Sequence, residues 1–324
     1  MPLDRHIRCI DAGSEYCPCF LSETGDCIVC SHLQGNEFCD CNWCGSCIFN
    51  EFYWNGLQMK KSRGSILSNI VNQEFINESL VLLTLQVPQG MARELIQPGS
   101  YIIVRNPEKP SYFDTPISVM DVNEGASQIT IALQAIGAKT KSLLTSKKEV
   151  LLKGPYWNGI IGLENLKKLK DKKILMVVRG IAQAPAVPVI KYLNKNKNNI
   201  ILALDPGNIQ SVFIEKYIER WNLVPKVLDV RSEAGLAAIE DLLQNESFDL
   251  VFSSGSDLLH HDLLQMIKNQ EKNIAFSSTN NREICCGEGV CGACSIYTKD
   301  GNILKGCKVQ TMVEEILQRG TVND

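Results

Sequence analysis

Between residues 64 and 155 apolar and polar side chains alternate in short runs rich in β-branched residues: SILSNIVNQEF, ESLVLLTLQV, YIIVRN, SQITIALQAI and EVLLKGP. Alternation gives each run one inward and one outward face. Turn signals such as Pro98-Gly99 and Asn123-Glu124-Gly125 separate the runs, so the stretch predicts an antiparallel barrel with no long helix. From residue 172 the period changes. KKILMVV, NIILALD, PKVLDV and FDLVFSS read as strands, and APAVPVIKYLNK, IQSVFIEKYIERW, GLAAIEDLLQN and DLLHHDLLQMIKN as the helices between them. This alternation implies a parallel sheet covered by helices on both faces, with a nucleotide site at the strand ends. The first strand runs into VVRGIAQAPAV, where Gly180 turns the chain toward a helix beginning near Ala184. Such a turn aims free N–H groups and a positive dipole end at a pyrophosphate, although an ordinary strand-to-helix turn reads the same way. Asp205 closes the next strand, placed to accept hydrogen bonds from a ribose and to repel a 2′-phosphate, which favours NADH; Arg220, Lys226 or Arg231 could still meet a phosphate. Ser253, Ser254 and Gly255 end a later strand on the same crevice.

A chain of 324 residues is longer than one compact domain needs. No window approaches the roughly 18 consecutive apolar residues of a membrane span, and a formal charge of -3 provides no basic field for nucleic acid. Neither a membrane nor a nucleic-acid partner is expected. The opening MPLDRHIRCIDAG lacks the apolar run of a secretory signal, so the expectation is a cytoplasmic protein with reduced thiols and no disulfides.

Cysteine position then changes the picture. Of fourteen cysteines, nine lie within residues 9–47 and five within 285–307, with none between. The C-terminal group runs Cys286, four residues, Cys291, two residues, Cys294, twelve residues, Cys307. That is the plant-type 2Fe-2S spacing. A loop wrapping a small inorganic core must bring its backbone close, and Gly287, Gly289 and Gly292 permit this. CSIYTKDGNILKGC reads as a hairpin turning at Asp300-Gly301, which carries Cys307 back to Cys294. A closed zinc cage is the alternative. Cys285 falls outside the spacing and is expected to point the other way, as a packing residue. The N-terminal group forms four close pairs, Cys17/Cys19, Cys27/Cys30, Cys39/Cys41 and Cys44/Cys47, with Cys9 apart from them. Nine thiols in so short a stretch point to metal: a second iron-sulfur cluster, 4Fe-4S, with zinc as the alternative. His6 and His32 are expected to be solvated rather than ligating. Trp43, Phe49, Phe52, Tyr53 and Trp54 are expected to form the small core or the dock onto the barrel.

Taken in order, the barrel, the nucleotide domain and CGEGVCGAC followed by Cys307 resemble the electron-transfer subunit of dihydroorotate dehydrogenase, within the ferredoxin reductase superfamily, over roughly residues 64–312. The expected architecture is multidomain α+β and α/β: a Cys-rich metal module (1–62), an FAD-binding antiparallel barrel (63–157), an NAD(P)-binding parallel-sheet domain (158–276) and a 2Fe-2S segment (277–324). The resemblance implies that Thr115, Pro116, Ile117 and Ser118 flank the flavin ring, with Tyr112 beside them. Ile136, Gly137, Ala138, Lys139 and Thr140 would open the helix that binds the FAD diphosphate. Gly154 and Asn158 come from GPYWNG, which matches the family's closing element. Gly180, Ile181, Ala182 and Gln183, with Asp205, Ser254 and Gly255, would hold the nicotinamide nucleotide.

The chain departs from the family at Thr115, where an arginine usually binds the FAD phosphates; Lys139 or Arg105 would have to compensate. The family's Gly-Gly-x-Gly and Cys-Gly-Pro turns stand here as Arg179-Gly180-Ile181-Ala182 and Ser254-Gly255-Ser256.

The implied activity is that of a ferredoxin:NAD(P)+ reductase-type oxidoreductase. Ferredoxin or a similar one-electron carrier would exchange electrons through the clusters with FAD, and the flavin would exchange hydride with NAD(P), with Ser118 and Ser254 orienting the two rings. Lys60-Lys61-Ser62-Arg63 and KKLKDKK (167–173) are candidate docking patches for an acidic carrier. Two alternatives stand beside this: an electron-transfer subunit feeding a dihydroorotate, sulfide or glutamate-synthase-like flavoenzyme, and a redox or metal sensor.

Overall fold

The computed structural model describes residues 7–146, 148–270, 272–297 and 303–317. In the N-terminal module a short strand β1 (Arg8–Cys9) is followed by helices α1 (Phe20–Glu23) and α2 (Ile48–Trp54). Its core is small: Cys17, Cys27, Val29, Cys30, Leu33, Ile48 and Phe52. Of the expected aromatic core, Phe52 is buried and Trp43 and Phe49 pack at its edge, whereas Tyr53 and Trp54 stand exposed at 62% and 77%.

Six strands, β2 (Ser65–Phe75), β3 (Leu80–Gln86), β4 (Tyr101–Arg105), β5 (Thr115–Asn123), β6 (Gln128–Gln134) and β7 (Glu149–Tyr156), close an antiparallel barrel in the order β2-β3-β6-β5-β4-β7. Helices α3 (Gln89–Glu94) and α4 (Ala138–Leu144) are its only α-helices among the described residues. Strand β5 was not legible as a strand. Pro116, Asp121 and Asn123 interrupt its alternation, and a register shift between Val119 and Asp121 accommodates the irregularity against β6.

The second domain begins with β8 (Ile160–Ile161) and α5 (Leu163–Lys167), then alternates β9 (Lys173–Arg179), α6 (Gln183–Lys195), β10 (Asn199–Asp205), α7 (Glu215–Ile218), β11 (Lys226–Val227), α8 (Glu233–Asn245), β12 (Leu250–Ser254), α9 (Asp257–Lys268) and β13 (Ala275–Thr279). The sheet order is β11-β10-β9-β12-β13-β8, parallel except at β8. IQSVFIEKYIERW is not one helix. Gln210 and Asn222 take left-handed φ of 57° and 52°, and only the short α7 with its 3-10 extension forms between them, while Phe213, Ile214 and Ile218 fill the core. Leu80, Leu82 and Met120 of the barrel join α6 residues such as Val187 and Ile190 in one apolar cluster, so the two domains share a core.

The C-terminal segment forms β14 (Ser295–Tyr297), β15 (Ile303–Lys305), β16 (Val309–Gln310) and α10 (Val313–Leu317). β14 and β15 pair as the expected hairpin arms; the Asp300-Gly301 turn and His6 lie outside the described residues. Ile296, Leu304, Val309 and Val313 pack on the sheet face opposite α6. β16 also pairs with β1, Cys9 opposite Val309, which stitches the first described strand to the last. Among the described residues no helix is long and apolar enough to cross a membrane.

His260 of α9 is 1% exposed, with Nδ1 2.7 Å from Ser253 Oγ and Nε2 3.2 Å from Thr279 Oγ1. Burial holds its pKa down at about 4, against the weaker opposing pull of Asp257. The unfolded chain takes up this proton near pH 6.5 while the fold refuses it until about 4, so stability is full above that window and falls as pH drops through it. From pH 7 to pH 5 the loss from this residue should be about 2 kcal/mol. Urea unfolding of the parent and of His260→Gln at both pH values should show a flatter dependence in the variant; equal losses would clear His260 of this role.

Candidate functional site

Three left-handed glycines shape the C-terminal loop: Gly287, Gly289 and Gly292 at φ 71°, 79° and 78°. A Cβ on Gly287 would lie 2.5 Å from the Tyr156 ring, and one on Gly289 3.0 Å from Leu21, so the close approach as well as the backbone demands glycine. Cys307 sits in the turn joining β15 to β16. The four thiols touch in sequence: Cys291 with Cys286, Cys286 with Cys307, Cys307 with Cys294. Hydrogen bonding from Cys307, reinforced by the Cys291 and Glu288 N–H groups, pulls the Cys286 thiol down to about 3 against its burial, and the Cys307 bond likewise brings Cys294 to about 6. Cys307, the proton donor of this set, is pushed up. Backbone donors point at sulfur: Glu288 N–H to Cys286 Sγ and Cys307 N–H to Cys294 Sγ, each 3.3 Å.

The donor set is four thiols, with Cys286 beside Cys291 and Cys307, and Cys307 beside Cys294. The Tyr101 hydroxyl, buried without a hydrogen-bond partner among the described residues and close enough to feel the charge of Cys307, leaves a donor for a group held by these thiols. Cys285 is exposed, which corrects its reading as a packing residue: the side facing away from the thiols here is solvent.

Beneath this loop lies a group of buried charges that the sequence did not announce. Asp11, Arg63 and Lys308 are 2%, 5% and 0% exposed. Arg63 makes a two-point bond to Asp11 at 2.9 and 3.2 Å and reaches Glu288 at 3.2 Å; Lys308 reaches Glu288 at 3.0 Å and also pairs with Asp11. Burial alone would raise the Asp11 carboxyl, but Lys308 and Arg63 overcome it and hold the group below its ordinary range. Arg63 also lies over the rings of Tyr16, Tyr156 and Trp157 at 3.8, 4.7 and 5.3 Å. Its burial removes it from the docking patch. Lys60 and Lys61 pair with Glu51 and Glu15, and Lys168, Lys172 and Lys173 pair with Glu164, Asp249 and Glu246, so part of the charge of both basic runs is compensated.

From the loop a chain of contacts leads to the barrel. Tyr156 donates its hydroxyl to the Cys286 carbonyl at 3.3 Å and to Glu288 at 3.1 Å, and stacks on Tyr101 at 5.1 Å and 14°. Tyr101 pairs in register with Ser118 of β5. Thr115, Pro116, Ile117 and Ser118 thus lie on β5, and Tyr112 stands 72% exposed on the 3-10 turn before it. Exposed Ile136 precedes Gly137, the N-cap of α4; Ala138, Lys139 and Thr140 form that helix's first turn. Lys139 donates to the Asp114 carbonyl at 2.9 Å and Arg105 pairs with the Asp114 carboxylate at 2.9 Å, so both cations and the α4 N-terminus converge at the start of β5.

Gly154, buried on β7, would carry a Cβ 3.3 Å from Ile102. Asn158 is turned away from any ligand. Fully buried, it donates to the Gly306 and Val309 carbonyls at 2.7 and 2.9 Å and accepts from Gln310, clamping the Cys307 turn.

At the nucleotide crevice Gly180 takes φ 59°, with Ile181 and Ala182 in a 3-10 turn before α6. The residues expected to hold ligand here hold the turns instead. Gln183, fully buried, bonds to the Ser211 carbonyl and the Phe213 N–H. Ser254, fully buried, donates to the Ala182 carbonyl at 2.8 Å. Asp205 is 4% exposed, one oxygen accepting from Arg179 Nε and the other from the Gly207 N–H. A Cβ on Gly255 would meet Leu259 at 2.7 Å. Beyond these turns opens a cleft of ≈ 90 Å³ whose lining includes Arg179, Arg231, Ser256 and Asp262.

Comparison with solved structures matches this architecture. A chain of the NADH-dependent reduced ferredoxin-NADP oxidoreductase superposes with a TM-score of 0.60 at 20% identity, over 79% of this chain and 94% of that one. The chain has the ferredoxin reductase fold. Phthalate dioxygenase reductase aligns with a TM-score of 0.54 at 14% identity, over 76% of this chain and 95% of that one. In sequence the chain is similar to the dihydroorotate dehydrogenase B (NAD(+)) electron transfer subunit of Clostridium acetobutylicum, 25% identical over 217 residues, 66% of this chain and 82% of that protein. No protein-family model matches the chain.

The N-terminal cysteines are an addition to the barrel and sheet of this ferredoxin reductase fold, and the structure divides them. Cys17, Cys27 and Cys30 are buried, Cys9 and Cys19 half-buried, and Cys39, Cys41, Cys44 and Cys47 exposed. His32 lies against the Phe49 ring with Nδ1 3.1 Å from the Asn36 carbonyl. Sequence reasoning missed Cys9, Asp11, Arg63, Tyr101, Tyr156, Glu288 and Lys308. Glu288 and Lys308 carried a signal, since each sits inside or next to the cysteine motif.

Removing one member of the buried charge group should cost far more than removing a surface charge. Lys308→Met is expected to lose about 3–5 kcal/mol in chemical denaturation because it strips a cation from the buried Asp11 and the part-buried Glu288, whereas Lys60→Ala should change stability by less than about 1 kcal/mol. Similar small losses in both would show that the buried group contributes no more than a surface pair.

Proposed function

We propose that this chain is an iron-sulfur flavoprotein oxidoreductase that moves electrons between NAD(P) and a one-electron protein carrier, with FAD at the barrel and a 2Fe-2S cluster on Cys286, Cys291, Cys294 and Cys307. The observation that carries it is the unbroken line of contacts from Ser118 through the Tyr101–Tyr156 stack to Cys286. The relative is named as an NAD(+)-linked electron transfer subunit, and the phthalate dioxygenase reductase structure is titled for electron transfer from pyridine nucleotides to 2Fe-2S. Both names fit this reading.

Bound FAD supplies the exchange between a two-electron hydride and single electrons. The chain's own residues position it. Lys139, Arg105 and the α4 N-terminus offer positive potential to a diphosphate, replacing the arginine the family has in place of Thr115. Ser118 and its neighbours on β5 set the ring against the Tyr101 side of the barrel. Arg179, Arg231 and Ser256 line the cleft for the dinucleotide; with Asp205 occupied by Arg179, the repulsion expected to exclude a 2′-phosphate is neutralised, so this cleft accepts NADPH as well as NADH. A second reading, an electron-transfer subunit that acts only with a separate catalytic flavoprotein, draws on the relative's name.

Protein purified without oxygen should be yellow-brown and should reduce a viologen dye with NADH or NADPH. Silence restored by a catalytic partner would support the subunit reading, and a preparation with neither flavin nor iron would overturn both. Cys291→Ser should abolish or alter one reduced-cluster EPR signal while leaving FAD bound; unchanged signals would overturn the ligand assignment.

A further inference from the structure

We propose that Cys9, Cys17, Cys19 and Cys27 ligate an iron-sulfur cluster of their own, set directly beside the C-terminal cysteine loop. The inference rests on the electron-transfer reading above and adds to it the inner ligand set of the N-terminal module, including a cysteine that stands outside every close pair in the sequence.

The four thiols come from three stretches of chain yet wall one small cavity, together with Asp11 and Ser22. Ser22 is 5% exposed and its hydroxyl has no hydrogen-bond partner among the described residues. A buried hydroxyl left unpaired is costly, and a thiolate or sulfide in the cavity is the acceptor it lacks. Backbone donors are already turned on the sulfurs. The N–H of Asp11 serves Cys9, that of Gly13 serves Cys17 and that of Leu21 serves Cys19. Those of Val29 and Cys30 serve Cys27, the last at 3.5 Å.

Cys30 stands next to Cys27 but outside the lining of this cavity.

The place of this site follows from the strand pairing. Cys9 is in register with Val309, and the Ile10 N–H donates to the Lys308 carbonyl at 2.8 Å, so Cys9 lies two positions along the paired segment from Cys307. Lys308 acts on both Cys9 and Cys19. One electron passes between the two clusters, one centre oxidised and the other reduced, with no bond or proton moved. The nicotinamide-reduced flavin or a one-electron protein carrier supplies it.

Iron, acid-labile sulfide and EPR on the full chain, purified without oxygen and reduced with dithionite, test this. Cys9→Ser and Cys27→Ser should each lose one cluster's share of iron and sulfide and one reduced-cluster signal, keeping flavin and the C-terminal signal; Cys285→Ser should keep everything. Magnetic broadening of the C-terminal signal in the parent should vanish in Cys9→Ser.

A measurement without substitutions guards against misfolded variants: alkylation of the native protein should label Cys9 and Cys19 only after iron is chelated. Full iron in Cys9→Ser, zinc in place of iron, or uncoupled signals would overturn the inference. Absence of flavin or of the C-terminal signal from the parent would instead overturn the function proposed above.

Discussion

Two carboxylates and two cations meet in a space nearly closed to water, and the arrangement of every redox element depends on that meeting. Asp11, Arg63, Glu288 and Lys308 come from the N-terminal module, the entry to the barrel and the two sides of the C-terminal cysteine loop; Asp11 and Lys308 are 297 positions apart. Taking four charges from water costs much of what their attraction returns. What the group provides is definition, because any other packing of these three segments leaves a buried charge unpaired. Enclosure of the Arg63 guanidinium by Tyr16, Tyr156 and Trp157 fixes it further.

From that centre the geometry spreads outward. Glu288 lies between Cys286 and Cys291 and takes a hydrogen bond from Tyr156, so the same carboxylate that closes the charge group also fixes the aromatic stack reaching toward β5. Lys308 follows Cys307, and the pairing of β1 with β16 brings Cys9 alongside. The module this strand introduces has a core in which cysteines stand among few aliphatic side chains. So small a core offers little hydrophobic stabilisation of its own, and metal ligation would add what burial does not.

In the sheet domain the polar residues at the strand ends face one another. Arg179 holds Asp205, Ser254 holds Ala182 and Gln183 holds the 211–213 turn. These bonds set the shape of the crevice and leave Arg231, Ser256 and the remaining face of Arg179 to line its cleft.

Sequence by itself determined the local elements and the chemistry of the C-terminal loop. Period-2 alternation marked most barrel strands, longer apolar periods marked α6, α8 and α9, and the spacing from Cys286 to Cys307 marked four thiols that the fold brings together, because each depends on residues close in the chain. It did not reveal β5, whose proline and polar residues hide the alternation, nor the break at Gln210. It also assigned Asn158, Gln183, Asp205 and Ser254 to ligands, since a polar residue at a strand end looks the same whether it faces a cofactor or a neighbouring turn. Only the tertiary structure decided which of these were already satisfied. It alone brought Asp11, Arg63, Glu288 and Lys308 together and set Cys9 opposite Val309, two positions from Cys307, because pairings across hundreds of positions have no periodicity to read.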